Sequence, residues 1–300
     1  MLSDRFPPGS WTLVERERWH PRPDITQRQA WESLPGEARG RILRRAEARR
    51  EQPWPVLPAS LYLEYVRTGD RELFQRPYFW RRSTLCLMAL AECMEDRGRY
   101  LDRIADGVWL ICEESTWCVP AHILTQRAGM DLPDTTEPVL DLFAAETGAE
   151  LAWISYLLGP RLPAVSKLLA PRIHREVEAR IIEPFLARDD FWWMGFDTAL
   201  GRPNNWNPWV NGNVLAAACL LVDDPARRTA VVARVMKSLD RFVDPYPADG
   251  GCDEGPGYWS RAAGSVFDCL ETLESVSGGR ITAWDQPLSV RWGGTCRARR

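Results

Sequence analysis

The chain has 300 residues, of which 45% are hydrophobic and 26% are charged, and it carries a formal net charge of −3 at pH 7. This is the composition of a globular chain with enough apolar side chains to fill a core, which excludes a wholly disordered protein. The weakly acidic balance excludes an overall positive field for nucleic acid, and the sequence has no apolar run long enough to cross a membrane. We therefore expect neither nucleic acid nor a membrane among its partners.

The amino-terminal segment, residues 1–22, is rich in proline and has no regular hydrophobic pattern. Its first ten residues contain an acidic residue and two prolines and lack the apolar stretch of a secretory signal peptide. We therefore expect a cytoplasmic protein if the sequence begins at its true start, and a periplasmic or secreted one if the start lies upstream.

From residue 23 onward, apolar side chains recur almost throughout at the spacing of one helix face. The pattern predicts a helix that begins at Pro225 and helices over residues 36–50, 70–95, 99–115, 138–158, 164–186, 211–222 and 257–275. Alternating strand patterns and hairpin signals are almost absent. The sequence therefore predicts an all-α fold of antiparallel helix pairs, and on periodicity alone a solenoid, a bundle and a toroid all stay open.

The sequence changes character after about Trp284. Residues 289–300 are rich in arginine and glycine and carry no helical stripe. Because the chain stops abruptly after a helix, we expect a truncated or frameshifted end. The domain prediction is thus an irregular extension over residues 1–22, one helical domain over 23–288, and an atypical tail over 289–300.

Cysteine and histidine are not spaced as metal ligands. None of the eight cysteines forms a CxxC pair, and the three histidines do not form an HExxH motif. Without a signal peptide, the cysteines do not imply a disulfide framework. The sequence therefore predicts no metal site and no cofactor.

Two loop-like segments concentrate amide, acidic and aromatic side chains. Residues 201–213 contain five asparagines beside Trp206 and Trp209. Residues 246–259 contain Asp249, Asp253, Glu254, Tyr258 and Trp259. This mixture is typical of a carbohydrate cleft, because amides bind hydroxyl or carboxylate groups and indole rings stack on sugars. Any single Asn or Asp at a helix end can equally be a cap or a turn residue.

A third segment, residues 112–122, contains Glu113, Glu114 and His122. His122 is the only histidine in a candidate cleft loop, so it is a candidate for proton transfer. A lone histidine is more often structural, so this assignment depends on its neighbours.

The string NNWNPWVNGN, followed by two helices and then DGGCDEGPGYW, resembles the heparinase II/III-like family of polysaccharide lyases. The string ICEESTWCVPAH resembles the upstream region of that family, and the resemblance covers roughly residues 60–288. It implies an incomplete (α/α) toroid followed by a β-sandwich domain, which this sequence does not reach. It also implies β-elimination on an acidic polysaccharide such as a glycosaminoglycan or alginate.

The resemblance also implies roles for individual residues. Asn204 and Asn205 match the position that neutralises the uronate carboxylate, and Tyr258 matches the catalytic acid/base. Relatives often carry a histidine after the asparagine, where this chain has Trp206. The base is therefore Tyr258 itself, His122 from another segment, or a group that lies beyond the end of this sequence. The expected substrate-binding residues are Trp206, Asn207, Trp209, Glu254 and Trp259.

Three alternatives stay open. A glycoside hydrolase would need two carboxylates, and the adjacent Asp253 and Glu254 point in different directions, so Asp249 or Glu114 would have to be the partner. A uronate epimerase would share the abstraction of the C5 proton. An inactive carbohydrate-binding fragment would bind without turnover, and Tyr258→Phe would not change its binding.

Overall fold

The structure is a computed structural model that describes residues 2–247, 251–252 and 254–285. Helices make up 64% of it, and the described residues contain no β-strand. The all-α prediction is therefore confirmed for this part of the chain. Asp249, Asp253 and the predicted tail over residues 289–300 lie outside the described residues.

The described residues form thirteen α-helices, numbered here in chain order. They are α1 (Leu2–Arg5), α2 (Arg28–Glu32), α3 (Gly36–Arg50), α4 (Ala59–Tyr62), α5 (Glu64–Thr68), α6 (Glu72–Glu95), α7 (Leu101–Cys112), α8 (Leu142–Leu158), α9 (Leu169–Val177), α10 (Glu183–Ala187), α11 (Trp206–Leu221), α12 (Pro225–Val243) and α13 (Trp259–Val276). None of them is both long and apolar enough to cross a membrane.

Among the predicted helices, the one over residues 164–186 differs most from the structure. It begins only at Leu169, and a π-helical turn, Glu178–Ile182, separates α9 from α10. Pro184 follows this turn directly and has no N–H to donate to the preceding turn of an α-helix. The wider turn therefore lies where the regular hydrogen-bond ladder has lost a donor.

The loop predicted over residues 201–213 is wrong in its second half, because α11 begins at Trp206. The side-chain oxygen of Asn204 accepts a hydrogen bond from the Trp206 amide at 3.0 Å, which satisfies one of the free donors of the first turn. Pro208 lies in that first turn, where the absence of an N–H costs little.

The chain divides into two compact units. Unit 1 comprises Met1–Pro21 and Ile182–Arg300, and unit 2 comprises Arg22–Ile181. The amino-terminal segment up to Pro21 is part of unit 1, where the Val14 amide donates to the Val276 carbonyl at 2.7 Å. The segment was predicted to be irregular, but it contains the short helix α1 and a 3₁₀ turn, Arg16–Arg18.

Unit 2 is built around the long helix α6, which packs against α3, α7 and α8. The approach of α7 is close at Gly107, where a Cβ atom would lie 2.8 Å from the ring of Trp54. α8 begins at Asp141, whose side chain accepts a hydrogen bond from the Ala144 amide at 2.7 Å.

Unit 1 is built around α11, which packs against both α12 and α13. The contact with α13 is close at Gly212, where a Cβ atom would lie 3.2 Å from the sulfur of Cys269. α12 begins at Asp224, whose carboxylate accepts from the Ala226 amide at 2.9 Å, and Pro225 occupies the first helical position. The predicted start of this helix at Pro225 is thus confirmed.

Candidate functional site

The side chain of Asn205, at the start of α11, is a buried amide without a partner. The residue is 2% exposed, and neither its Nδ2 nor its Oδ1 has a hydrogen-bond partner among the described residues. Leaving such a group unpaired costs roughly 1–3 kcal/mol, so its presence calls for an explanation.

The local backbone explains why this amide is unpaired. Asn205 has φ and ψ of −57° and −16°, which are helical values, and its side chain makes no capping hydrogen bond. The capping interaction is made by Asn204, one residue earlier. The consecutive asparagines therefore differ: Asn204 starts the helix, and Asn205 keeps an unused donor and acceptor.

Asn207 is fully buried and hydrogen-bonded within the core of unit 1. Its Nδ2 donates to the Trp193 carbonyl and to the Ser238 carbonyl, both at 2.9 Å. The Nδ2 of Asn211 in turn donates to the Asn207 carbonyl at 2.8 Å and to the Ser238 hydroxyl at 2.9 Å. This network joins α11 to α12, so the geometry of Asn207 is structural and does not support its predicted role in binding substrate.

Two tryptophans of α11 are half-buried and contact other segments of unit 1. The ring of Trp206 lies 5.1 Å from that of Trp192, at an angle of 47°. The guanidinium of Arg261 lies 4.0 Å above the ring of Trp209. Sequence reasoning selected both α11 tryptophans but missed Trp192 and Arg261, although the aromatic string that surrounds Trp192 (FWWMGF) was visible.

The second predicted segment leads into α13. Tyr258 ends a 3₁₀ turn, immediately precedes α13 and is 47% exposed. Trp259 is the half-buried first residue of α13, and Glu254 is exposed. α11 and α13 pack against each other in unit 1, with the sulfur of Cys269 in the middle of α13 lying against Pro208 and Gly212 near the start of α11. Arg261 in the first turn of α13 reaches the ring of Trp209.

His122 belongs to unit 2, unlike the other predicted site residues. It lies in a 3₁₀ helix, Pro120–Thr125, and its Nδ1 is 2.7 Å from Oδ2 of the fully buried Asp141. Its ring stacks on Phe143 with centroids 5.4 Å apart and planes 8° apart. The imidazole is therefore held in a fixed orientation by a carboxylate and an aromatic ring.

Glu114 is engaged by two arginines of α6 and is not an available acid or base. Its Oε1 lies 3.0 Å from Nη1 of Arg81, and its Oε2 lies 2.7 Å from Nη2 of Arg82. The side chains of all three residues are only 7–8% exposed. The hydrolase alternative that would use Glu114 as the second carboxylate therefore has no support in this geometry.

The described cysteines are free, and most are buried. Burial raises the pKa of Cys112 and of Cys219 to about 12, so neither thiol ionises near neutral pH. Among the described residues, no group of three or more His, Cys, Asp and Glu side chains is arranged to hold a metal ion.

Comparison with known protein families finds no family model that matches this chain, and no curated protein matches its sequence. The likeness to heparinase II/III-like proteins is therefore a resemblance of motifs. Those motifs and the geometry of their residues are the features of this chain that bear on its function.

Proposed function

We propose that this chain is the helical part of a polysaccharide lyase, an incomplete (α/α) toroid that cleaves uronic-acid-containing polysaccharides by β-elimination. The observation that carries the proposal is the buried, unpartnered amide of Asn205 at the start of α11. The motif resemblance gives an asparagine at this position the task of binding the uronate carboxylate.

The chemistry of β-elimination requires such a donor. The C5 proton of a uronate becomes acidic only when the charge of the carboxylate is neutralised, because the developing enolate oxygens must be stabilised. The Nδ2 group of Asn205 has no acceptor within the described protein, and because the residue is buried, a hydrogen bond from it to an anion would be stronger than one in water. Since both amide atoms are covered, substrate binding would have to uncover them.

Proton transfer is assigned to Tyr258, with His122 as the second candidate. A tyrosine at the start of α13 can take the C5 proton as its phenolate and return it to the departing O4 oxygen as its phenol. The exposure of Tyr258 supports access to a polymer. Trp206, Trp209 and Trp259 are half-buried, as expected for rings that stack on sugars, and Glu254, which precedes Trp259 in the second segment, is exposed.

The decisive experiment measures the ultraviolet absorbance of the unsaturated uronate product. Purified full chain is incubated with heparin, chondroitin, hyaluronan and alginate, beside Tyr258→Phe and the control Tyr65→Phe. We expect absorbance to rise on one acidic polymer, and we expect Tyr258→Phe to lower the rate at least about 100-fold with a melting temperature unchanged within a few degrees. Tyr65→Phe in unit 2 should keep the wild-type rate.

Each contrary result has a specific meaning. New reducing ends without absorbance would indicate hydrolysis, and binding without turnover that Tyr258→Phe leaves unchanged would indicate a carbohydrate-binding fragment. No rise on any polymer would contradict the lyase assignment. Full activity in Tyr258→Phe would remove Tyr258 from the reaction.

A second prediction separates Asn205 from its neighbours. Asn205→Leu keeps the size of the side chain and removes an unpaired buried amide, so we expect it to raise the free energy of unfolding by about 1 kcal/mol and to abolish turnover. Asn207→Leu removes an amide that is fully hydrogen-bonded, so we expect it to lower that free energy by about 2 kcal/mol. Chemical denaturation measures both, and a similar loss of stability in the two variants would refute the argument.

A further inference from the structure

A cavity of about 640 Å³ lies along one face of α12 in unit 1. Its lining residues on α12 include Ala230, Ala233, Lys237 and Arg241, and Asp244 follows the helix directly; these positions recur every three to four residues and therefore share one face. At 1.5 Å per residue this face is roughly 20 Å long. The opposite wall comes from the amino-terminal segment, at Ser3, Asp4, Phe6 and Pro8.

Two of the charged groups in this groove are already engaged by the chain. Asp240 accepts hydrogen bonds from the Leu2 amide at 2.6 Å and from the Ser3 amide at 2.9 Å. Arg234 donates to the Phe185 carbonyl at 2.7 Å and to the Arg188 carbonyl at 2.5 Å. Neither group is therefore the natural counter-charge of a ligand.

Lys237 and Arg241 differ from these groups, because neither has a hydrogen-bond or ion-pair partner among the described residues. The ammonium of Lys237 lies 5.0 Å from the centre of the Phe196 ring. The Cβ of Arg241 packs against Gly195, where an added Cβ would lie only 2.7 Å away. The side chains of these two unpaired cations thus leave α12 one helical turn apart in the same groove.

We propose that this groove binds an organic anion, specifically a carboxylate carried on an apolar body. Lys237 and Arg241 would pair with the carboxylate, since two donors one turn apart can both reach a single anionic group. The apolar body would lie against Leu186, Ala230 and Ala233. This site is separate from Asn205 and does not depend on the lyase proposal.

The apolar part of the lining decides between classes of anion. A bare phosphate would contact the two cations and leave Phe6, Pro8 and Leu186 uncovered. A sugar acid would set hydroxyl groups against the same apolar surfaces, where they would lose hydrogen bonds to water. An aryl carboxylate covers these surfaces and still presents its charge to Lys237.

The test is calorimetric titration of the full chain with benzoate, with inorganic phosphate and D-glucuronate as the other ligands. The variant is Lys237→Met/Arg241→Gln, and the matched control is Lys167→Met/Arg67→Gln, which alters exposed residues of unit 2 and changes the net charge equally. We expect benzoate to bind more tightly than the other two ligands and the first variant to weaken it at least about tenfold. The control should bind like the wild type, and added salt should weaken binding.

Three results would overturn the proposal. The first is the absence of saturable benzoate binding to the wild-type chain. The second is an equal affinity in the variant and the control, which would place any binding elsewhere. The third is that phosphate or glucuronate binds as tightly as benzoate, which would contradict the claim that the groove selects an anion with an apolar body.

Discussion

Glu114→Gln is expected to lower the free energy of unfolding by about 3–5 kcal/mol, because it removes the counter-charge of two buried guanidiniums. Of the two arginines, Arg82 depends more on the charge of Glu114 than Arg81 does. Its guanidinium lies 3.3 Å from the centre of the Tyr78 ring, and its Nε donates to the Thr147 hydroxyl at 2.7 Å. Burial, the largest single cause, acts to lower the pKa of Arg82, but the charge of Glu114, its hydrogen bond to Arg82 and the nearby Tyr78 and Glu150 together raise the pKa.

A matched control tests whether burial is the cause. Glu47 pairs with Arg99 at 2.8 Å, but the two side chains are 47% and 38% exposed. Glu47→Gln should therefore cost less than about 1 kcal/mol. Urea denaturation compares the two variants, and a similar small loss in both would show that the Glu114 cluster is not effectively buried.

A double substitution separates the charge from the packing. Arg82→Met/Glu114→Met replaces part of the ionic cluster with apolar side chains and leaves Arg81 with its hydrogen bonds to the Pro55 carbonyl. We expect the double variant to be more stable than Glu114→Gln, because it removes the guanidinium of Arg82 that Glu114→Gln leaves buried without a counter-charge.

Glu150→Gln is expected to remove a loss of stability that the wild-type chain suffers as the pH rises from about 5 to 9. The Oε1 atom of Glu150 is buried and has no hydrogen-bond partner among the described residues. Burial raises the pKa of this carboxyl from 4.5 to about 8, although the nearby charge of Arg82 acts in the opposite direction. Cys86 of α6 and Glu146 of α8 are its other ionisable neighbours.

The direction of the effect follows from proton binding. Between pH 4.5 and about 8 the folded chain keeps a proton on Glu150 that the unfolded chain has released. The free energy of unfolding therefore falls through this interval, by a few kcal/mol and with a ceiling of about 5 kcal/mol for a shift of this size. Glutamine has no proton to lose, so the variant should match the wild type near pH 5 and exceed it at pH 9.

Thermal unfolding across this pH range measures the effect. Glu37→Gln is the control, because Glu37 is exposed in the first turn of α3. It should leave the shape of the wild-type pH profile unchanged. Parallel profiles for the wild type and Glu150→Gln would refute the buried-acid argument.

Helix positions were predictable where hydrophobic spacing is regular, as in α6, α7 and α8. The start of α11 was not, because WNPWVNGN is rich in residues that usually form turns. In the structure the helix begins there because Asn204 caps it and because Asn207 and Asn211 bond to groups of α12 and of their own helix. The partners on α12 are distant in sequence, so local propensity could not reveal them.

The candidate site was predictable as a set of segments but not as a set of roles. Pattern reasoning treated Asn205 and Asn207 alike, whereas one amide is unpaired and the other has its donors in use. The ring of Trp192 and the guanidinium of Arg261 reach the α11 tryptophans from other elements. Such differences arise from tertiary packing and leave no mark in the local sequence.

Each unit contains buried cysteines whose reaction with a thiol reagent would show when the helices of that unit separate. Cys93, Cys112 and Cys118 are buried in unit 2, and Cys219 and Cys269 are buried in unit 1. A thiol reagent can reach these sulfurs only while the surrounding helices are transiently separated. Peptide-resolved labelling rates would therefore measure, without any introduced cysteine, whether the two units open together or one at a time.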